Sequence, residues 1–315
     1  LGDVYKRQIS SNRPKIVVIG SCNTDMVVKA NRLPVPGETI LGGTFYMNPG
    51  GKGANQAVAA ARMGGEVTFV TALGNDMYAS MLKEHYSKEG IATDQIIIDT
   101  QNPTGTALIL VAENAENCIA VAPGANGALS IAHIEQISKT LEGADMVVMQ
   151  AEIPYETIKQ VALMAHRKGI KIMFNPAPAC YIDSELMHII DILVVNESEA
   201  QYISNSSIEG DNIDQIAQKL RDAGAKAVII TLGHRGSYLK TESEAYFIPS
   251  YPVKAVDTTA AGDVFCGALA VACVNGCINS DALRFASAAA AIAVTRVGAQ
   301  PSIPILSEVQ DFLKQ

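Results

Sequence analysis

The chain has 315 residues, 48% of them hydrophobic and 18% charged, with a formal net charge of -8. This length carries one sizeable α/β domain or two small ones with a substantial core, and the composition is globular, without the signature of disorder. The acidic balance and the lack of any Lys/Arg run exclude nucleic acid and an anionic membrane as main partners and favour a small molecule, while apolar runs such as Val264–Val274 and Phe285–Val294 fall short of the roughly 18–20 residues that span a bilayer.

The opening LGDVYKRQ has no periodicity and precedes a polar SSNRP, so residues 1–14 are expected to be a disordered or artefactual extension outside the fold. Lys15–Gly20 (KIVVIG) reads as a buried strand and Gly53–Met63 as an alanine-rich helix. Strands at Glu66–Leu73, Ala144–Gln150, Lys171–Asn175, Ile190–Val195 and Ala227–Leu232 then alternate with amphipathic helices at Asp76–Glu89, Ile131–Leu141, Tyr155–Lys168 and Ile213–Ala223. This βαβα rhythm predicts a doubly wound, mostly parallel sheet flanked by helices over residues 15–315. Met26–Ala30 with Thr39–Met47, and later Gly105–Ala122 split by ENAEN, are strands with no helix between them, and predict a small β-sheet lid from about 22–48 and 105–123. Ala260–Val274 and Asp281–Arg296 are small-residue helices, which suit tight packing or close approach of a ligand. The six cysteines (Cys22, Cys118, Cys180, Cys266, Cys273 and Cys277) form no C-x-x-C pair and follow no signal peptide, which favours reduced thiols in the cytoplasm; the five histidines show no zinc-ligand spacing.

Asn48–Asn55 (NPGGKGAN) opens a helix, where exposed backbone N–H groups can bind anions or hydroxyls. It is not a P-loop, which would need glycine at Tyr46 and a hydroxyl residue at Gly53, nor a dinucleotide fingerprint, because position 56 is Gln. A glycine-rich turn without a ligand is the competing reading. Asn23 and Asp25 follow the first strand, where open α/β sheets collect ligands; a carboxylate that accepts from two vicinal hydroxyls suits a polyhydroxylated substrate, although turn residues look the same. Glu152, after the strand ending at Gln150, has the same two readings. In Val194–Ala200 (VVNESEA), Asn196, Glu197 and Glu199 suit hydrated Mg2+ beside phosphates, or equally an N-cap with helix-start glutamates. In VDTTAAGDVFCGAL, residues 256–269, Gly262 and the alanines before it leave N–H groups open as an anion pocket, and Asp263 can take a proton from an attacking hydroxyl. That is the division of labour of phosphoryl transfer.

GGKGANQA at 50–57, NPAPA at 175–179, NESEA at 196–200, TLGHRG at 231–236, DTTAAGD at 257–263 and AIAVTRVGAQPS at 291–302 occur in this order, and from about Lys15 onward the chain resembles the ribokinase-like carbohydrate kinase family. The resemblance implies ATP-dependent phosphorylation of D-ribose at its 5-hydroxyl, a step of D-ribose catabolism, with Asp263 as base and Ala260, Ala261 and Gly262 as backbone anion hole. It implies ribose at Asn23, Asp25, Gly51, Lys52, Gly53, Ala54, Asn55, Glu152 and Asp263, and ATP along Asn196, Thr231, Leu232, Gly233, His234, Arg235, Gly236, Gly262, Asp263 and Ser287. Mg2+ is implied at Asn196 and Glu199 through water, and K+ at Asp257, Thr259, Ala293, Arg296, Gly298 and Ser302, mostly on carbonyl oxygens. A homodimer through the lid is implied as well. The rival readings are a kinase for deoxyribose or another sugar, and a non-catalytic sugar-binding regulator on the same fold.

Overall fold

The computed structural model describes residues 13–314 except 115, 137, 209–211 and 275–277, so residues 1–12 of the expected extension, and Cys277, lie outside the described residues. Arg13 and Pro14 attach to the body: the Arg13 guanidinium donates to the carbonyls of Gly64 and Gly65, and the Pro14 carbonyl accepts from the Glu66 N–H.

The strands are β1 (Lys15–Ile19), β2 (Asn23–Ala30), β3 (Thr44–Gly50), β4 (Glu66–Val70), β5 (Ala72–Gly74), β6 (Ile97–Asp99), β7 (Gly105–Ala112), β8 (Asn117–Ala122), β9 (Met146–Gln150), β10 (Lys171–Asn175), β11 (Ile192–Asn196), β12 (Ala227–Thr231), β13 (Gly236–Lys240) and β14 (Ala245–Pro249). The helices are α1 (Lys52–Arg62), α2 (Met77–Lys88), α3 (Ile131–Gln136), α4 (Tyr155–Arg167), α5 (Ser184–Ile189), α6 (Glu197–Ser204), α7 (Ile213–Asp222), α8 (Ala261–Val274), α9 (Ser280–Ala293) and α10 (Leu306–Phe312).

Eight strands make the central sheet in the order β14-β13-β12-β11-β10-β9-β1-β4, parallel from β12 to β4 with an antiparallel hairpin at the far edge. Runs such as KIVVI, MVVMQ, ILVVN and AVIIT are apolar on both faces, as a sheet between two helix layers requires. Their period of two divides the core: Val18, Val148, Val194 and Ile229 pack with α1, α2, α8 and α9, whereas Ile19, Val147, Val195 and Val228 pack with α4, α5, α6 and α7. From β1 the chain first adds β4 on one side and later β9 on the other. The carboxyl ends of β1 and β9 therefore flank a topological switch point, where open α/β sheets leave a crevice for ligands.

A separate four-stranded sheet, β3-β2-β7-β8, stands beside that crevice. The doubly wound reading and the small second sheet are both present. Three expectations need correction. Glu66–Leu73 is two strands, β4 in the main sheet and β5 paired to the short β6, with buried Thr71 between them, so a continuous apolar run crosses from one sheet to another. The helix expected over Ile131–Leu141 is α3 followed by a separate 3-10 turn, Ser138–Leu141. The strand expected over Thr39–Met47 starts later and runs further, as β3 (Thr44–Gly50), and Asn23 and Asp25, which follow β1 as expected, are in its partner β2. Among the described residues no helix is long and apolar enough to cross a membrane.

Candidate active site

The site starts where β1 ends and α1 begins. Gly51, the N-cap of α1, has φ +91, and a Cβ there would lie 2.9 Å from the Asn23 nitrogen, so only glycine fits this left-handed turn. Gly20 and Gly53 touch: a Cβ on Gly53 would be 2.6 Å from the Gly20 carbonyl carbon, and one on Gly20 would be 2.9 Å from the Gly53 Cα. The N–H groups expected to face a ligand are largely engaged within the protein. Ala54 N–H donates to the Ser21 carbonyl at 2.9 Å, Gly53 N–H to Ser21 Oγ at 3.4 Å, and Lys52 N–H to Glu152 Oε2 at 3.1 Å. Ser21 Oγ donates to the same Glu152 oxygen at 2.5 Å, which leaves a carboxylate at the positive end of α1.

Strand β2 brings Asn23 and Asp25 beside this turn. Asn126 locks Asn23: its amide donates to Asn23 Oδ1 at 2.8 Å and to the Cys22 carbonyl at 3.0 Å, and its Oδ1 accepts from the Cys22 N–H at 2.9 Å. Burial pushes the Asp25 carboxyl up to about 6, and the charges of Glu152 and Asp263 add to the shift. Gly50 makes the room: a Cβ there would lie 2.1 Å from Asp25 Oδ2. Asp25 thus lies near enough to two other carboxylates to feel their charge.

Asp263, in the first turn of α8, is 6% exposed. Its Oδ2 accepts from the Asn55 amide and its Oδ1 from the Gln56 amide, both at 3.0 Å. Close contact of two helices delivers those amides, because a Cβ on Gly267 of α8 would lie 2.5 Å from the Ala59 Cβ and 2.6 Å from the Gln56 carbonyl oxygen of α1. Lys52 is held protonated chiefly by the negative charge of Asp263, against the desolvation of its ammonium. Before Asp263, Ala260 has φ +59, a strained conformation for a residue with a Cβ. Ala261 N–H closes a turn on the Thr258 carbonyl at 3.2 Å, and a Cβ on Gly262 would meet nothing within 4 Å. First-turn N–H groups of a helix have no intrahelical acceptor, so this open corner suits an anion.

Two cavities meet there. The smaller, about 240 Å³, is lined by Lys52, Asn196, Glu199, Ala260 and Asp263 among others, and the larger, about 520 Å³, by His234, Gly236, Ser287 and neighbours; Thr231, Thr258, Ala261 and Gly262 border both. Gly233 also lines the larger cavity, but Leu232 is 2% exposed and Arg235 pairs with Glu197, so neither contributes a side chain to it. Its remaining wall comes from Ser250–Val253, Ala255 and Phe265, and from Ala290, Ala291 and Val294. Asn196 and Glu199 form a reciprocal capping box, each side chain accepting from the other's N–H at 2.8 Å, and burial raises the Glu199 carboxyl.

Below the anion corner, Asp257 joins two segments. Its Oδ1 accepts from the Thr259 N–H at 2.9 Å and hydroxyl at 2.6 Å, and its Oδ2 from the Gly298 N–H at 2.8 Å. Burial would raise this carboxyl, but the bonds from Thr259 and Gly298 outweigh it and hold it below the ordinary range. The Arg296 guanidinium pairs with Glu308, the Ala293 carbonyl accepts from the Arg296 N–H, and the Ser302 hydroxyl donates to the Ala299 carbonyl. Sequence reasoning missed Ser21, Gln56, Asn126, Gln150, Asn175 and Gln300; the signal available was a polar residue inside an apolar run, as in ANQAV, VVMQ and IMFN.

Residues 13–306 match the pfkB family of carbohydrate kinases. A ribokinase from Haemophilus influenzae is 39% identical over 303 residues, covering 96% of this chain and 99% of that protein. A deoxyribokinase from Salmonella typhi is 33% identical over 300 residues, covering 95% and 98%. A structure of Arabidopsis thaliana ribokinase complexed with ribose and ATP superimposes with a TM-score of 0.88 at 34% identity, covering 96% of this chain and all of that one. With the match running through both sides of the cleft, the chain belongs to the pfkB family of carbohydrate kinases.

Proposed function

We propose that this chain transfers the γ-phosphoryl group of ATP to the 5-hydroxyl of D-ribose, giving ribose 5-phosphate and ADP. The observation that carries the reading is the position of Asp263: a buried carboxylate on the wall of the smaller cavity, next to the Ala261–Gly262 corner that this cavity shares with the larger one. Sugar on one side and nucleotide on the other would meet at that corner. The likeness to ribokinases over nearly the whole chain supplies the sugar.

On the sugar side, Asp25 and Asn23 hold ring hydroxyls, Asn55 orients the sugar toward Asp263, and Glu152 fixes the first turn of α1. Asp263 takes the proton of the 5-hydroxyl as that oxygen bonds to the γ-phosphorus and the bond to the ADP oxygen breaks. The Ala260–Gly262 backbone and the Lys52 ammonium stabilise the charge on the phosphoryl oxygens, and Lys52 is assigned to this side because it borders the smaller cavity with Asp263. The larger cavity, with Ser287 and the Thr231–Gly236 segment, takes the adenosine.

Two ions fit the donors. Asn196 and Glu199, tied into their capping box at the cavity wall, would hold Mg2+ through water. An ionised Asp257 with the turn of Ala293, Arg296, Gly298 and Ser302 offers the carboxylate and carbonyl oxygens that K+ accepts. When bound, the two ions lower the electrostatic barrier to charge build-up on the phosphoryl group. The small sheet acts as the lid, and its outer face exposes Phe45, Met47 and Leu108, an apolar surface for pairing with a second copy.

The test is ADP release with ATP, Mg2+ and K+ over a pentose and hexose panel. Ribose gives the highest kcat/KM, and no ribose-dependent ADP sinks the reading. The deoxyribokinase relative favours a second reading, a kinase for 2-deoxyribose. Equal kcat/KM for ribose and 2-deoxyribose would establish that second reading over strict ribose specificity.

A further inference from the structure

The two amides on Asp263 are consecutive in sequence but differ in surroundings. A carboxylate only accepts hydrogen bonds, so Asn55 and Gln56 must both present their NH2 ends to it. For Gln56 this fixes everything behind it. Its NH2 also donates to Asn175 Oδ1 at 3.1 Å, and its carbonyl oxygen must then accept, which obliges Gln150 to present its own NH2, at 2.7 Å. Asn175 is held in turn, its NH2 donating to the Val194 carbonyl at 2.9 Å. The far end of Gln150 is left over: Oε1 is buried without a hydrogen-bond partner among the described residues, against Gly20, where a Cβ would lie 1.9 Å away.

An orphaned buried acceptor destabilises a fold, and an apolar residue at position 150 would remove it only by orphaning the Gln56 carbonyl oxygen in its place. The amide chain runs across the carboxyl ends of β9, β10 and β11 and ends on one reactive group, Asp263. Gln56 itself is 0% exposed and cannot reach a sugar, whereas Asn55 is 6% exposed and its Oδ1 is held from the other side by Gln300 at 3.2 Å.

We propose that Gln56 is a positioning residue for phosphoryl transfer: it ties down Oδ1 of Asp263, so that Oδ2, which accepts one bond from Asn55 and keeps a second acceptor position, receives the proton of the sugar hydroxyl. This rests on the reading of Asp263 as the base. Gln56 touches neither sugar nor nucleotide, so its loss acts on turnover and spares binding. The charged groups that act on Asp263 are Lys52, Asp25 and Glu199, with Glu152 acting on Asp25 and Lys52.

The experiment compares Gln56→Met, Gln56→Glu and the double variant Gln56→Leu/Gln150→Leu with wild type and with Asp263→Asn. It measures kcat, the dissociation constant for ribose by equilibrium dialysis, and the thermal midpoint. The expected result is a kcat lower by about 10- to 100-fold in each Gln56 variant, with ribose dissociation constants within about threefold of wild type. The double variant removes the orphaned Gln150 oxygen and the amide behind Asp263 together, so it regains thermal stability without regaining kcat; this keeps the test open where Gln56→Met folds poorly. A folded Gln56 variant with kcat within threefold of wild type, beside an inactive Asp263→Asn, overturns the positioning role alone. A fall in kcat matched by an equal loss of ribose binding also overturns it. Full turnover by Asp263→Asn removes the base reading, and this inference with it.

Discussion

The two halves of the cleft are built by opposite means. On the side proposed for the sugar, polar side chains are buried or half-buried and already bonded: Asn23 to Asn126, Glu152 to Ser21 and the Lys52 N–H, and Asp263 to Asn55 and Gln56. On the side proposed for the nucleotide, the wall includes Pro252, Val253, Ala255, Phe265, Ala290 and Val294, small or apolar groups around an open space of about 520 Å³. A prearranged polar site rejects a ligand that lacks one hydroxyl, because its own groups are left unpaired, whereas an apolar slot discriminates weakly. Strict choice of sugar and lax choice of nucleotide are the expected result.

The largest effect that can break this contrast is at the base. Asp263→Asn lowers kcat by about 10²- to 10⁴-fold while ribose binding stays measurable, checked by steady-state kinetics and equilibrium dialysis. Next is Asp25. Its carboxyl titrates near 6 in the folded protein against an ordinary 3.8, so the folded state holds this proton more tightly and stability falls as pH rises from about 4 to about 6. The unfavourable contribution is complete above pH 6 and absent below about 4. Asp25→Asn therefore raises stability by on the order of 2 kcal/mol at pH 8 and leaves it unchanged near pH 3.5, while weakening ribose binding by about 100-fold. Denaturant titrations at the two pH values check the sign; a variant less stable than wild type at pH 8 means that the carboxylate crowding is absent.

The seam between the halves is third. Gly267→Val forces a side chain into the contact of α8 with α1 and is expected to cost about 1–3 kcal/mol by thermal unfolding, with a fall in kcat because Asn55 and Gln56 shift from Asp263. The smallest effect belongs to the nucleotide wall. Ser287→Ala changes the KM for ATP by less than about threefold, and GTP supports turnover within about tenfold of ATP. A tenfold loss in Ser287→Ala would mean that the nucleotide side too is wired by specific hydrogen bonds.

The loops of the site were legible because their residue types have few other uses. Two adjacent glycines before a lysine at a helix start, or TTAAGD ahead of an apolar helix, mark backbone that turns or packs closely where apolar segments begin, although in the first loop the N–H groups serve the fold and do not lie open. The parallel sheet was legible from runs apolar on both faces. What escaped were contacts across the fold. Gln56, Gln150 and Asn175 come from three elements and acquire meaning only when α1 lies on β9 and β10. The hairpin β13–β14 was missed, and with it the 250–255 wall of the larger cavity, because short alternating segments such as GSYLK carry little signal beside the longer apolar runs. Thr71 did not announce the break between β4 and β5, since β5 is as apolar as β4 and only its pairing differs.

The contact of Gly20 with Gly53 has a consequence for how this sequence can vary. Each glycine occupies the space that the other's side chain would need, at the point where the first strand hands over to the helix carrying Asn55 and Gln56. A library randomised at position 20 alone, or at position 53 alone, should return glycine under selection for activity. Randomising both at once should offer no second solution, because moving the backbones apart also moves the amides off Asp263. On this geometry the two positions are constrained as one unit, since neither can take a side chain without displacing the other's backbone.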